Sequence, residues 1–267
     1  MDDTFRKRET RYRKFKEKNP DVAFSRYLME RQLDNLSAGS GALKVALASN
    51  EEFWASGEAK AARLMATAGI EPHHKVVEYG CGSLRIAAHF IRRLAPGNFF
   101  GLDVVSGFYE AGQAAIGDGL IAERRPRFGV IEETTLAEAE ALAADFVYSA
   151  VVCAHVHPDE IETYFRNLVR LAHKPGAWLI FNAALHEHPV RYAFDGWAWP
   201  LEFYQDHLPG FDMIRALKGT MQTRNGIQTM PVDFEFRRPA RHDAAGDQDR
   251  RHLRRFAPSE GDVGGAR

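Results

Sequence analysis

Val76-Val77-Glu78-Tyr79-Gly80-Cys81-Gly82-Ser83-Leu84-Arg85 sets two glycines behind a short β-rich run and ahead of a helix-forming stretch. Gly80 allows a sharp turn, and Gly82 lets a ligand approach the backbone with no Cβ in the way. A dinucleotide loop would carry a third glycine three residues after Gly82, where Arg85 stands, so a nicotinamide cofactor is disfavoured. Glu78 places negative charge where a phosphate would be repelled and an ammonium group attracted. Asp103 lies 21 residues after Gly82, at the end of the next strand candidate. An acid there can accept two hydrogen bonds from ribose hydroxyls; the bland alternatives are a helix cap for Asp103 and a surface carboxylate for Glu78. Cys153-Ala154-His155-Val156-His157-Pro158 and His186-Glu187-His188 concentrate imidazoles, the commonest general bases. A metal pair is disfavoured at the first cluster, because no third histidine or carboxylate is close in sequence. The bland reading of His155 is a loop-orienting hydrogen bond. Tyr192, Phe194, Trp197, Trp199, Phe203 and Tyr204 form an aromatic segment suited either to a pocket wall or to a satellite core.

The elements that must position these residues follow from pattern. Lys75–Tyr79, Asn98–Asp103, Arg127–Ile131, Asp145–Val152 and Ala177–Phe181 read as strands, separated by helical stretches such as Pro158–Ala172, with Ile161, Tyr164, Phe165, Leu168 and Leu171 on one face. Alternation with short links means βαβ units and a parallel sheet covered on both sides. Phe211–Lys218 and Met230–Phe236 are strand-like, and Asn225-Gly226 between them favours a tight turn, so the sheet ends in an antiparallel hairpin. Upstream, Asn19-Pro20 looks like the start of a helix running to Leu36, and another helix spans about 51–68. The first eighteen residues carry eight Lys or Arg against four acids, a solvated helix or arm, or else a contact for an anionic partner.

The 267 residues hold 35 Lys+Arg against 36 Asp+Glu, for a net charge of -1. That balance argues against nucleic acid or an anionic membrane as the partner of the whole chain. No apolar run approaches the roughly 20 residues that span a bilayer, and the charged N-terminus does not read as a secretory signal; the expected location is the cytoplasm. Two cysteines exclude a disulfide scaffold and a cysteine-rich zinc site.

An amine at one end, a ribose in the middle and no pyrophosphate describe S-adenosylmethionine (SAM). On Glu78-x-Gly80-x-Gly82 and Asp103 the chain resembles the class I SAM-dependent methyltransferases, over about residues 53–236. The resemblance implies an α/β fold: a Rossmann-like, seven-stranded, mostly parallel sheet with helices on both faces and a C-terminal antiparallel hairpin. It implies SAM as cofactor, held by Glu78, Gly80, Cys81, Gly82 and Asp103, with Glu132 and its neighbour Glu133 at the adenine amine and Phe53–Gly57 over the methionine end. It implies methyl transfer to a small-molecule or sugar acceptor at oxygen. The loop after the fourth strand then borders the methyl group, making His155 the general base and His157 the runner-up, on one face if the strand continues through them. No metal is expected. Two alternatives stay open: methylation of a macromolecule docked by the basic N-terminus, and a SAM-binding partner subunit without catalysis. Against a nitrogen-methylating nucleic-acid enzyme, Ser149-Ala150-Val151-Val152 lacks an Asn/Asp-Pro-Pro-Tyr/Phe run. The expected organisation is an N-terminal helical extension (1–50), a methyltransferase domain (51–238) with an acceptor-site insertion at about 184–209, and a disordered tail (239–267).

Overall fold

The structure, a computed structural model, describes residues 3–37 and 51–240. The expected disordered tail therefore lies outside the described residues except at its first two positions.

Helices α1 (Asp3–Lys18), α2 (Phe24–Ser37) and α3 (Glu51–Ala68) precede the sheet. Then come β1 (Val76–Tyr79), α4 (Ala87–Arg93), β2 (Phe99–Asp103), α5 (Ser106–Ile116), α6 (Asp118–Arg124), β3 (Arg127–Val130), α7 (Glu133–Ala141), β4 (Phe146–Ser149), α8 (Ile161–Leu171) and β5 (Trp178–Leu185). An inserted hairpin, β6 (Val190–Ala193) and β7 (Gly196–Ala198), is followed by α9 (Leu201–Asp206), β8 (Asp212–Lys218), β9 (Gln222–Arg224) and β10 (Ile227–Arg237). The sheet runs β3-β2-β1-β4-β5-β10-β8, with β9 joined to β10. Strands β1 to β5 are parallel, and β10 inserts antiparallel between β5 and β8. This is the expected Rossmann-like arrangement, with β9 as an eighth strand beyond the expected seven. The Asn225-Gly226 turn joins β9 to β10, both residues at positive φ, which is the geometry a two-residue hairpin requires.

Successive strand residues bury on opposite faces. Val77, Val147, Leu179 and Phe234 meet Phe165 and Leu168 of α8 on one side, while Val76, Phe146, Tyr148 and Ile180 meet Leu64 of α3 and Phe90 of α4 on the other. Burial on both sides is why these strands read as continuous apolar runs.

Three boundaries depart from expectation. Strand β4 stops at Ser149, three residues early: Val151 takes φ +60 and gives its N–H to the side-chain carbonyl of Asn182, so the ladder cannot continue. Strand β5 runs four residues further than expected, to Leu185, because β10 pairs with its whole length. Helix α2 starts at Phe24 and not near Pro20. Asn19 is spent closing α1, its N–H and side-chain amide both donating to the Phe15 carbonyl, and α2 is capped from elsewhere in the chain: the Glu160 carboxylate accepts from the Phe24 N–H at 2.6 Å and from Ser25. Among the described residues no helix is long and apolar enough to cross a membrane.

The glycine loop is clasped by two helices whose backbones come very close. A Cβ on Gly57 of α3 would lie 2.2 Å from the Arg85 carbonyl oxygen, and one on Gly112 of α5 would lie 2.5 Å from that of Ser83. Lys60 and Arg63 fix α3 in place through Asp233 of β10, at 2.7 and 2.6 Å. In an open helix, Gly→Ala adds up to about 1 kcal/mol of stability. At Gly57 the sign inverts: Gly57→Ala should lose ~1–3 kcal/mol through overpacking. Gly119→Ala in α6, where the added Cβ meets nothing within 4 Å, should be neutral or stabilising. Thermal unfolding of the pair checks this; equal midpoints would mean that α3 does not clasp the loop.

Candidate functional site

At the carboxyl ends of β1, β2 and β4 lies a cavity of about 980 Å³, at the top of the roughly 300–1,000 Å³ range of small-molecule sites. Its floor is the glycine loop. Gly80 sits at φ +82, and its N–H and that of Cys81 both donate to the Leu102 carbonyl, at 2.7 and 2.9 Å. A Cβ at Gly80 would meet Val152 at 2.3 Å, so this glycine is required by packing as well as by the turn. Gly82, at φ +49, has nothing within 4 Å on its Cβ side, and that open side belongs to the cavity wall.

Two acids stand behind the loop. Asp103 is 5% exposed; its Oδ2 accepts from Gly82 N–H and its Oδ1 from Val104 N–H, both at 2.8 Å. Val105 N–H is a third backbone donor, so the carboxylate keeps room to accept one more hydrogen bond from the cavity. Burial raises its pKa, against the pull of those N–H donors. Glu78 is 2% exposed and accepts from the Tyr148 hydroxyl at 2.8 Å. Burial pushes this carboxyl well above its ordinary value, with the Tyr148 bond opposing and Asp103 adding to the rise. A cation entering beside Glu78 would favour its charged form. Cys81 lines the cavity, with its thiol turned under Gly101 and raised by burial, so it is not a nucleophile. Arg85 also lines the cavity and reaches α3, donating to the Ser56 hydroxyl at 2.7 Å and lying over the Phe53 ring.

The two histidines after β4 are separated by the structure. Strand β4 does not continue through them; single 3₁₀ turns at Cys153–His155 and Pro158–Glu160 replace it, so the expected common face does not exist. His155 lines the cavity. Its Nδ1 lies 2.5 Å from the carbonyl oxygen of Asp195. A carbonyl only accepts, so Nδ1 carries the proton and Nε2 is left as the basic nitrogen. His157 does not line the cavity. Its ring packs against Phe24 and Trp197 at 5.1 and 5.2 Å, its Nδ1 accepts from Asp159 N–H, and burial lowers its pKa. Packing of that kind makes His157 a tie between the loop and α2.

Other expected contacts are also redistributed. Glu132 is exposed, forms a capping box with Thr135 at the start of α7 and is absent from the cavity wall, while Glu133 pairs with Arg170; Val130 and Ile131 take that side. His186 and His188 bond to each other on the surface. Among the described residues no three His, Cys, Asp or Glu groups are placed to hold a metal ion. Of the aromatic segment, Phe194 and Trp197 pack with Phe5, Phe24, Tyr27 and Leu28 of the N-terminal helices; Phe203 and Tyr204 pack on Phe165 of α8. Phe194 and Trp197 thus make a satellite core, Phe203 and Tyr204 join the main core, and none of these rings lines the cavity.

Contributors not expected from sequence are Ser25 and Met29 of α2, Thr163 and Asn167 of α8, and Asp195 at the β6–β7 turn. In α2 the signal was available: Ser25, Met29 and Gln32 follow helical spacing.

No family model matches the chain, and no curated protein sequence is similar to it. Solved structures do match in fold. The 1,6-didemethyltoxoflavin-N1-methyltransferase of Burkholderia thailandensis, with S-adenosylhomocysteine bound, aligns with a TM-score of 0.52 and 16% identity over 79% of this chain and 87% of that one. The magnesium protoporphyrin IX methyltransferase of Synechocystis PCC 6803, also with S-adenosylhomocysteine, gives 0.50 and 16% over 74% and 88%. The cyclase SpnF gives 0.54 and 15% over 68% and 81%. At these identities the likeness is one of fold: the chain has the class I methyltransferase fold.

The buried acid beside the loop has a measurable consequence. Above the ordinary value of 4.5 the unfolded chain releases the Glu78 proton, whereas burial favours its retention in the folded chain. Its contribution to stability is therefore full below 4.5 and is lost as pH rises through the folded value. Thermal unfolding between about pH 5 and 8 should show Glu78→Gln gaining on the ligand-free wild type as pH rises. Parallel curves would mean that Glu78 is ionised in the folded protein.

Proposed function

We propose that the protein is a SAM-dependent methyltransferase acting on a small-molecule or sugar acceptor at oxygen. One observation carries this reading: Glu78, the open side of Gly82, Asp103 and the cavity-lining His155 share a single cavity. The residues fit SAM. Glu78 is a buried acid placed for an ammonium group, Gly82 offers unblocked backbone, and Asp103 retains acceptor capacity for a ribose hydroxyl. When bound there, SAM supplies an electrophilic methyl on a sulfonium. The chain's own work is to align an acceptor and to exclude water. His155, with Nδ1–H held by Asp195, takes the hydroxyl proton at Nε2. The wall from α2 closes the acceptor side. Methyltransferases of small molecules bound to S-adenosylhomocysteine in this fold support the reading, while the cyclase shows that the fold alone does not dictate methyl transfer.

Calorimetry with SAM, S-adenosylhomocysteine and NAD tests the cofactor. SAM should bind and NAD should not, and Asp103→Ala should lose ~2–3 kcal/mol, roughly 30- to 150-fold in Kd. A labelled-methyl assay with a metabolite extract identifies the acceptor. His155→Ala should then lower turnover by about 10²–10⁴ with SAM affinity kept. Unchanged SAM affinity in Asp103→Ala sinks the cofactor assignment, and full turnover in His155→Ala sinks the base. Binding without any turnover would favour a SAM-binding partner subunit.

A further inference from the structure

We propose that Arg8 of the N-terminal helix is a positioning residue for His155, acting through Asp195. The proposal rests on the reading of His155 as the base.

Three elements far apart in sequence meet at one turn. Asp195 lies between β6 and β7, and it faces two ways. Its carbonyl accepts from His155 Nδ1–H at 2.5 Å. Its carboxylate is gripped by both terminal nitrogens of Arg8, at 3.3 and 3.2 Å. A two-point guanidinium–carboxylate pair fixes orientation as well as distance. The Arg8 guanidinium also lies 4.4 Å from the centre of the neighbouring Phe194 ring. The next residue of α1, Glu9, completes the grip from the other side: it pairs with Arg191 at 2.9 Å, and Arg191 donates through Nε and Nη2 to the Phe194 carbonyl. Two adjacent residues of α1 thus fix the two residues of the hairpin turn.

The chemical consequence concerns the tautomer. A neutral imidazole has one N–H, and the partner of one nitrogen decides which nitrogen is basic. The Asp195 carbonyl holds the proton on Nδ1. If the turn relaxes, that carbonyl withdraws, and the proton is free to sit on Nε2, which removes the lone pair from the nitrogen that must take the acceptor's proton. Helix α1 contributes no residue to the cavity wall, yet on this geometry it sets the state of a group in that wall.

The test uses the full chain labelled with ¹⁵N-histidine. Long-range ¹⁵N–¹H correlations at about pH 8, where free imidazole is neutral, report the tautomer of His155, whose signals are assigned by their loss in His155→Gln. The wild type should show Nδ1–H. Arg8→Gln should move the ring toward Nε2–H, and Arg8→Lys should restore it in part. Asp195→Asn keeps the carbonyl and removes the charge that Arg8 grips, so it should shift the ring as Arg8→Gln does and serves if Arg8→Gln fails to fold. With an acceptor in hand, Arg8→Gln should lower kcat about 10- to 100-fold with the Kd for SAM unchanged. A ring that stays Nδ1–H in folded Arg8→Gln or Asp195→Asn overturns the proposal, whatever the rate does. A ring that shifts while turnover stays the same upholds the positioning role and overturns the base assignment instead.

Discussion

Everything in the site depends on the bond from Gly82 N–H to the Asp103 carboxylate. The loop backbone at Gly80 and Gly82 is in a conformation that L-residues rarely adopt, and such a segment persists only when its surroundings over-determine it. Here they do. The Leu102 carbonyl takes two loop N–H groups, Asp103 takes a third, and helices α3 and α5 press against the Arg85 and Ser83 carbonyls at glycines. The cost of the arrangement is two carboxylates kept out of water, Glu78 and Asp103. Fully ionised, they would repel each other and lose the hydration that water gives a carboxylate. Burial raises the pKa of both, and a cationic ligand beside Glu78 would offset that rise.

This cofactor half was legible in the sequence because it is local. Strand β1, the loop and β2 lie within 28 residues, and each feature used to read them depends on neighbours in the chain: the buried run, the glycines, the acid at a strand end. The α8 face and the Asn-Gly turn were legible for the same reason. What could not be read was where distant segments supply a group that local chemistry lacks. Asn19-Pro20 looks like a helix start, but Asn19 is consumed by α1, and the cap of α2 arrives from Glu160, 136 residues away. His155 and His157 alternate as they would in a strand, but the strand ends at Ser149, and Val151 just beyond it gives its N–H to Asn182. Glu132 was read for its charge, when its nearest need is the bare N-terminus of α7.

The side of the molecule that the proposed function assigns to the acceptor is assembled on a different principle. Its parts, α1, α2 and the β6–β7 hairpin, share an aromatic core of their own around Phe24, Phe194 and Trp197. Polar contacts that join them to the main domain include Glu160 on the α2 N-terminus, Asp195 on His155 and the Asn225 amide on the Tyr192 carbonyl. Neither the basic stretch at the N-terminus nor the aromatic cluster of the insertion explains itself alone. Each is the other's partner, with Arg8 on Asp195 and Glu9 on Arg191 closing the contact. Part of the cationic excess of α1 is thereby spent inside the molecule, which weakens the view of that helix as a plain arm for an anionic macromolecule.

The division has a consequence for how such a chain can change its chemistry. The cofactor half rests on close backbone packing, where a single Cβ clashes, so it tolerates little variation. The acceptor half is held by side-chain contacts between elements remote in sequence, any of which can be repacked without disturbing Gly82 or Asp103. A fold built this way keeps one ligand and exchanges the other. A cyclase and two methyltransferases share the architecture at 15–16% identity to this chain, so the fold alone does not set the reaction. In this chain the two halves are coupled at the loop after β4: Val152 packs against Gly80 on the cofactor side, and three residues later His155 is tied to the hairpin. A change in the hairpin therefore reaches His155 through that loop, while the Gly82–Asp103 bond is left as it was.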